Sequence, residues 1–306
     1  MKDSGQLTIP LSFQKTIINL YGEKGQLWLE NLPSLFTHLS QSHNLRNLTL
    51  VDNLSYNLVL TGLQDKTPIA LKIGLDKSAL QQEATALKAF AGNGAIALRA
   101  HENGLLILEQ AIPGTSLKSF FPQRDQDALK IACIIMQKLH QAKIPDEKFP
   151  HIKDWLHGLK EYTLDSNNRD LSFHHHRASV LANRLLSTMA QPVLLHGDLH
   201  HGNILHHQGN WLAIDPKGVV GEPAYEVAAF IRNPILQLYI HPDFEKLIKV
   251  RIFLFSHLLQ LTAQRIQEWC YVQSVLGWIG ALNDRENTTP YQQFANLCVQ
   301  FEMTSP

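Results

Sequence analysis

Residues 194–205 read LLHGDLHHGNIL, a polar stretch of one aspartate, one asparagine and three histidines between short apolar runs. Residues 203–215 continue as NILHHQGNWLAID, in which two apolar segments flank the turn Gln208-Gly209-Asn210. A glycine-containing turn between two such segments is typical of a β-hairpin. The sequence therefore places the polar stretch on a loop beside a hairpin, a position where folds often carry their chemistry.

Three side chains of this region form a set suited to phosphoryl transfer. Asp198 and Asn203 lie five positions apart on the loop, and Asp215 ends the hairpin that begins at Asn203, so the turn can bring Asn203 and Asp215 side by side. A carboxylate beside an amide oxygen is the hard-oxygen site that Mg²⁺ prefers when phosphates complete its shell. Asp198 is then left to orient a hydroxyl group and accept its proton.

A cation for the phosphates is predicted in the first third of the chain. Lys72 lies within the apolar strand PIALKIG, residues 68–74, where an unpaired ammonium group would be unfavourable. Glu83, in the helical segment that follows, is its natural partner. A strand lysine followed by a helix glutamate is the order of the kinase ion pair that holds nucleotide phosphates. A snorkelling lysine and a solvated glutamate are the alternative.

The remaining patterns predict an α+β fold with two lobes. The N-terminal lobe, residues 1–112, starts with a helical extension over residues 1–45 that is interrupted at Pro33, and continues as three antiparallel strands, one helix and two further strands. The C-terminal lobe, residues 113–306, is mainly helical apart from the hairpin. We expect a small antiparallel-sheet lobe and a larger helical lobe.

Composition argues against several classes of protein. Lys plus Arg and Asp plus Glu both number 27, and no basic run occurs, so nucleic acid is not an expected partner. The apolar stretches fall short of the ~20 residues that a membrane span needs, and the first residues lack the apolar core of a signal peptide. Cys133, Cys270 and Cys298 form no CxxC pair, which predicts reduced, buried thiols in the cytoplasm. The sequence is silent on oligomeric state.

The segments HGDLHHGNIL (residues 196–205) and WLAIDPKGVVGEPAYE (residues 211–226) resemble the aminoglycoside phosphotransferase family, and within it the branch of streptomycin 6-kinase and hydroxyurea phosphotransferase. The resemblance implies a protein-kinase-like fold and transfer of the γ-phosphoryl group of ATP, with Mg²⁺, to a hydroxyl group of a small molecule. It makes an aminoglycoside such as streptomycin the expected acceptor. Related kinases use the same core on choline, sugars or hydroxyurea, so these acceptors stay open.

The resemblance also implies a role for each matching position. By position, Asp198 would be the catalytic base, Asn203 and Asp215 would be the metal ligands, and His196 would support the loop. Lys72, paired with Glu83, would contact the phosphates. Glu109 and Ala111 would bind adenine through their main chain.

The nucleotide loop between the first two strands departs from what such loops usually contain. Residues 52–57 read DNLSYN and include no glycine. Glycine eases the close approach of backbone amides to phosphates. Ser55 and the neighbouring amides are the groups expected to bind phosphate instead.

Glu222 and Glu226 follow the metal aspartate closely and open a helix. One explanation is that both complement the positive end of the helix dipole. The position of Glu226 in the family lies near the acceptor pocket, and a cationic acceptor needs carboxylates because the net charge of the chain is zero. We therefore expect Glu226, and with it Glu222, to contact the substrate.

Three other interpretations of the polar stretch can be compared with this one. Its histidines could bind zinc, but His206 and His207 point to opposite faces of a strand, and His174 to His176 are expected on a solvated helix face. A metallophosphoesterase would need a further upstream Asp-x-His pair, which the sequence lacks. A non-catalytic binding module would fit the glycine-free loop but not the retention of all three polar side chains.

Overall fold

The computed structural model describes residues 7–146, 149–162, 168–189 and 191–304. It divides into two compact units. The first comprises the chain up to Gly92 together with Ile96–Ala111, and the second comprises Asn93–Ala95 with Ile112 onward. The sequence predicts the boundary after residue 112. The first six residues of the expected helical extension lie outside the described residues.

The first unit contains a five-stranded antiparallel sheet, in which the strands lie in the order Leu45–Leu50, Leu58–Gln64, Thr67–Ile73, Leu105–Glu109 and Leu98–Glu102. The predicted strands are confirmed, and so is the helix between the third and fourth strands. The bounds of these elements are α1 Leu11–Tyr21, α2 Glu23–Ser42, β1 Leu45–Leu50, β2 Leu58–Gln64, β3 Thr67–Ile73, α3 Lys77–Phe90, β4 Leu98–Glu102 and β5 Leu105–Glu109.

The predicted interruption at Pro33 is wrong, because α2 continues through that proline. Proline removes one intrahelical hydrogen bond, but Leu32 and Leu39, on either side of it, are buried in the core formed with the sheet. Keeping both leucines in that core favours a continuous helix. The break lies at Gly22 instead, where φ is +59°, a conformation that favours glycine.

The second unit is mainly helical, as predicted. The predicted hairpin is confirmed as the strands Ile204–His207 and Asn210–Ala213, with Ile204 opposite Ala213 and His207 opposite Asn210. The bounds are β6 Pro113–Ser116, α4 Asp125–Leu139, α5 Ile152–Trp155, α6 His157–Glu161, α7 Arg169–Ser187, β7 Val193–Leu195, β8 Ile204–His207, β9 Asn210–Ala213, β10 Val219–Gly221, α8 Pro223–Ile231, α9 Ile235–Tyr239, α10 Phe244–Leu259, α11 Ala263–Asn283 and α12 Thr289–Thr304.

Two strand pairings of the second unit were not predicted. Strand β6 pairs with β8 and extends the hairpin to three strands. The dipeptide Pro113-Gly114 at its start predicts an end of regular secondary structure instead. Strand β10 pairs with β7, so that Val219 lies opposite Leu195. These strands are only three or four residues long. Runs so short carry too little periodicity to be recognised without their partners.

Helix α11 runs through the core of the second unit and contacts α7, α8, α10 and α12. Large side chains on several of its faces are fully buried, including Trp269, Tyr271 and Trp278. A helix that is apolar around most of its circumference is typical of a core position. The predicted apolar face of α4 is also buried, and its members are Leu129, Ala132, Ile135 and Leu139.

A buried ion pair links distant segments of this unit. Both carboxylate oxygens of Asp125, at the start of α4, accept hydrogen bonds from Arg251 of α10, at 2.9 and 2.6 Å. Arg251 also donates to the carbonyls of Ile231 and Asn233, at 2.7 and 2.6 Å. The His201 ring, from the polar loop, lies 3.8 Å from Asp125. The Asp125–Arg251 ion pair therefore forms a buried polar centre that contacts α4, α8, α10 and the polar loop.

Acid should destabilise this centre in two stages. Burial lowers the pKa of His201 from 6.5 to about 4. Burial would raise the pKa of Asp125, but His201 and Arg251 outweigh it and lower this pKa from 3.8 to about 2. Both pKa values are lower in the folded state, so the unfolded chain binds more protons and stability falls as pH decreases. The expected windows are pH 6.5 to 4 for His201 and pH 3.8 to 2 for Asp125.

Urea unfolding in metal-free buffer across this pH range measures the effect. His201→Phe keeps a ring against Phe230, on which His201 stacks with ring centroids 3.8 Å apart. The variant cannot bind a proton at this position and should lose the first stage only. An unchanged pH profile in the variant would show that the first stage arises elsewhere.

None of the described helices is long and apolar enough to cross a membrane. Cys133, Cys270 and Cys298 are free thiols and all three are buried, as predicted.

Candidate active site

The polar loop of residues 196–203 connects β7 to β8 and needs glycine near its start. Gly197 has a φ of +85°, a conformation that L side chains rarely adopt. A Cβ atom there would lie 2.6 Å from the ring of Trp155. A residue with a side chain would therefore be strained at this position, so glycine permits the backbone conformation between His196 and Asp198.

His196 is fully buried and fastens the loop to the hairpin. Its Nε2 lies 2.8 Å from the carbonyl oxygen of Ile214, and its Nδ1 accepts a hydrogen bond from the Asp198 amide at 3.2 Å. A carbonyl can only accept and an amide can only donate, so the ring carries its proton on Nε2. The structure therefore places His196 where the expected brace should lie.

The side chain of Glu226 lies beneath the loop, although the residue borders a cavity of the second unit. Its two oxygens accept hydrogen bonds from the amides of His196, at 2.6 Å, and Gly197, at 3.0 Å. Burial would raise its pKa, but the neighbouring His140 and His196 rings and the Gly197 amide outweigh burial and lower the pKa. Since its side chain has no exposed surface, Glu226 anchors the loop in this structure, and the expected contact of Glu226 with the substrate stays a prediction.

The carboxylate of Glu222 also has hydrogen-bond partners inside the protein. It accepts a hydrogen bond from Arg265 Nε at 2.7 Å and another from the indole nitrogen of Trp269. Its side chain is only 3% exposed. The sequence offered no signal for these partners, because both lie more than 40 positions further along the chain. The expected substrate contact of Glu222 also stays a prediction.

Removing one acceptor oxygen from Glu226 should weaken the second unit. Glu226→Gln places an amide group where a carboxylate receives two backbone amides, so one buried donor loses its partner. The free energy of unfolding should fall by about 1–3 kcal/mol, as measured by urea denaturation at neutral pH. The exposed Glu286→Gln is the matched control and should change stability by less than about 0.5 kcal/mol. Equal stability of both variants would show that Glu226 does not anchor the loop.

Asn203 and Asp215 are neighbours across the hairpin. The Ile214 amide donates to the Asn203 carbonyl at 2.9 Å. This hydrogen bond places Asp215, the residue after Ile214, beside Asn203. The side-chain nitrogen of Asn203 donates to the Asp198 carbonyl at 3.0 Å, so Oδ1 is the Asn203 side-chain atom available to a cation. Asp215 adopts a left-handed backbone conformation with a φ of +60°. These oxygen donors fit a hard divalent cation such as Mg²⁺.

The Asp198 carboxylate faces a cavity of about 380 Å³ in the second unit. Its side chain is 42% exposed, and in the described part of the chain no residue donates a hydrogen bond to it. The cavity is also lined by Trp155, Tyr225 and Arg232. Arg232 is held by the carbonyl of Ala228 at 3.2 Å and by Gln273 at 2.8 Å. An exposed carboxylate between aromatic walls can meet a small ligand.

His200 is the imidazole nearest to this carboxylate. Its Nε2 lies 3.9 Å from Asp198 Oδ1, and its Nδ1 accepts a hydrogen bond from the Gly202 amide at 3.0 Å. Burial lowers the pKa of His200, and although the negative charges of Asp198 and Asp215 oppose this, the net direction is downward.

The first unit contains the remaining predicted residues. Lys72 Nζ lies 2.7 Å from Glu83 Oε2, and both side chains are buried, which confirms the predicted ion pair. Ser55 is exposed in the loop between β1 and β2. Glu109 ends β5, where its amide donates to the Ala97 carbonyl at 2.9 Å, and Ala111 ends the unit.

Among the described residues, the structure shows no group of three or more His, Cys, Asp or Glu side chains that could hold a metal ion. The expectation of a solvated face for residues 174–176 is wrong for His174, which is 2% exposed. Its ring lies 3.0 Å from the hydroxyl of Tyr271 and 2.9 Å from Asn296 Oδ1. These partners come from α11 and α12, so the sequence around α7 did not reveal them.

The chain is similar in sequence to kinases of small molecules. A family model described as aminoglycoside/hydroxyurea antibiotic resistance kinase matches residues 43–285 of the 306. The chain is 24% identical to streptomycin 6-kinase of Streptomyces griseus over 288 residues, which cover 88% of this chain and 89% of that protein. It is 24% identical to hydroxyurea phosphotransferase of Kitasatospora aureofaciens, with 94% and 84% of the two chains covered.

Solved structures show the same fold. A choline kinase from Streptococcus pneumoniae aligns with a TM-score of 0.65 and 13% identity, over 89% of this chain and 99% of that chain. A thermostable aminoglycoside phosphotransferase mutant in a ternary complex with ADP and hygromycin B aligns with a TM-score of 0.64 and 13% identity, over 86% and 96%. The expected protein-kinase-like fold is thereby confirmed. Since the family model spans most of its length, the chain belongs to the family of aminoglycoside/hydroxyurea antibiotic resistance kinases.

Proposed function

We propose that this small-molecule kinase transfers the γ-phosphoryl group of ATP to a hydroxyl group of an aminoglycoside such as streptomycin, with Asp198 as the general base. The observation that carries the proposal is the position of Asp198. Its carboxylate faces a cavity, while its amide and carbonyl are held by His196 and Asn203. A carboxylate fixed by its backbone next to open space can accept the proton of a bound hydroxyl.

The chain's own residues can hold the nucleotide and its metal. Asn203 and Asp215 would hold Mg²⁺, and Lys72, kept in place by Glu83, would bind the phosphates. Ser55 with its neighbouring amides would add phosphate contacts, and the main chain at Glu109 and Ala111 would bind adenine. When bound, MgATP supplies the phosphoryl group and part of the positive charge that stabilises its transfer. The protein then contributes mainly positioning and a fixed electrostatic environment.

The choice of acceptor rests on the relatives rather than on carboxylates in the cavity. The carboxylates of Glu222 and Glu226 have internal partners, and the cavity, which Asp198 and Glu226 border, also contains the cationic Arg232. Streptomycin is the first candidate because streptomycin 6-kinases are similar over most of the chain. Hydroxyurea is the second, because a hydroxyurea phosphotransferase is similar over a comparable length. We place the reaction in the cytoplasm, where ATP is available and the three free thiols stay reduced.

The test is ADP release by the purified protein with MgATP and single acceptors. The panel contains streptomycin, a second aminoglycoside, hydroxyurea and choline, with Asp198→Asn as the inactive control. ADP release that depends on streptomycin and disappears in the control would support the proposal. Turnover with hydroxyurea or choline alone would replace the acceptor but keep the reaction. Folded protein that binds ATP and phosphorylates no member of the panel would contradict the proposed acceptor class.

A further inference from the structure

The ring of His200 is held through Nδ1, whereas its other nitrogen, Nε2, makes no hydrogen bond within the loop of residues 196–203. Its Nδ1 accepts the hydrogen bond of the Gly202 amide at 3.0 Å, so the proton of the uncharged ring is on Nε2. A Cβ atom at Gly202 would lie 2.9 Å from Cε1 of the ring and 3.1 Å from Nδ1. Glycine at this position therefore allows the ring to lie close against the backbone, which sets the direction of Nε2.

That direction leads towards Asp198. Nε2 of His200 and Oδ1 of Asp198 are 3.9 Å apart. The backbone of Asp198 is fastened on both sides, but within the described residues its carboxylate accepts no hydrogen bond that would define the side-chain rotamer. A general base must present one oxygen to the substrate hydroxyl at hydrogen-bond distance. An exposed carboxylate without a fixed rotamer meets this requirement only part of the time.

We propose that His200 is the positioning residue for Asp198: its Nε2–H donates to one carboxylate oxygen and leaves the other directed at the acceptor hydroxyl. This role rests on the proposed function of Asp198 as the base. Catalytic hydrogen bonds are often long in a ligand-free protein and shorten when the site fills. A small rotation of the half-exposed Asp198 side chain suffices to close the gap of 3.9 Å.

A purely structural role is the competing explanation, because His200 caps the short 3-10 helix His201–Asn203. The two roles use different atoms: capping needs only Nδ1, whereas positioning of Asp198 needs only Nε2. Two substitutions separate them. In His200→Asn, the side-chain oxygen takes the place of Nδ1 and no donor remains near Nε2. In His200→Gln, the side-chain nitrogen reaches the place of Nε2 and the acceptor for the Gly202 amide is lost.

We expect His200→Asn to keep the stability of the natural protein and to lose about 10- to 100-fold in kcat, the effect of one hydrogen bond to a charged group. Its KM for ATP should stay within about twofold, because the removed donor acts on the base. His200→Gln should retain kcat within a few-fold while losing stability in urea unfolding. Natural kcat in His200→Asn, or a kcat that falls in both variants together with stability, would overturn the positioning role.

A crystal structure with the non-hydrolysable analogue AMP-PNP and Mg²⁺ gives a readout that needs no turnover. The distance between His200 Nε2 and Asp198 Oδ1 should shorten to below about 3.2 Å. A distance that stays near or above the present 3.9 Å would refute the proposal. If the natural protein phosphorylates no acceptor, the proposed function fails and this distance still decides the contact. If it is active and the His200 variants behave alike, only the positioning role fails.

Discussion

Asp198→Asn should lower kcat for acceptor phosphorylation by about 10²- to 10⁴-fold, the usual contribution of a general base. Asparagine has the same size as aspartate but cannot take up the hydroxyl proton. The Asp198 backbone contacts to His196 and Asn203 do not involve the replaced group. The fold and the KM values should therefore change little, so that the loss falls on kcat. Steady-state ADP release at varied ATP and acceptor concentrations measures it.

The control for this variant is Asp284→Asn, which removes an exposed carboxylate at the end of α11. It should leave kcat, KM and stability unchanged. Circular dichroism and urea unfolding would show whether Asp198→Asn is folded. A folded Asp198→Asn protein that keeps more than about a tenth of the natural kcat would be incompatible with Asp198 as the base.

Arg251→Met should lower the free energy of unfolding by about 3–5 kcal/mol, as expected when one partner of a buried ion pair is removed. Asp125 would be left as a buried carboxylate without its cation, and the carbonyls of Ile231 and Asn233 would lose their donors. The Arg251 side chain is fully buried, so water cannot replace these contacts without a rearrangement. Urea denaturation at neutral pH measures the change.

The double variant Asp125→Leu/Arg251→Met separates the burial of a lone charge from the loss of the pair itself. Apolar residues of similar size can replace a buried ion pair at little cost. The double variant should therefore recover a large part of the stability that Arg251→Met loses. A single variant that loses less than about 1 kcal/mol, or a double variant less stable than the single, would contradict this account.

Local patterns were sufficient to predict the five strands of the first unit, the helix between its third and fourth strands, and the hairpin. The glycine-containing turn at residues 208–210 between two apolar runs already indicates which two strands pair, whereas the register, with Asn210 opposite His207, came from the structure. In the same way, Lys72 within an apolar strand requires a partner, and the following helix offers Glu83. Both predictions concern residues close in sequence, where chain geometry leaves few alternatives.

The roles of Glu222, Glu226 and His174 could not be obtained in this way. From the sequence alone, a glutamate that follows Asp215 by 7 or 11 positions is equally consistent with a helix-dipole residue, a substrate ligand or an anchor. Only burial of Glu226 against the amides of His196 and Gly197, 30 and 29 positions away, distinguishes them. The sequence was misleading for His174 because its partners lie 97 and 122 positions away.

The sequence by itself determined the class of chemistry, the strands of the five-stranded sheet and the hairpin, since short-range spacing and hydrophobic periodicity indicate them directly. The tertiary structure alone decided which polar side chains face the cavity and which support the loop. Asp198 and Glu226 are both carboxylates of the same region, yet one is 42% exposed and the other has no exposed surface. Burial depends on packing by segments far apart in the chain, such as the contact of Asp125 with Arg251 across 126 positions, and no local pattern encodes such a contact.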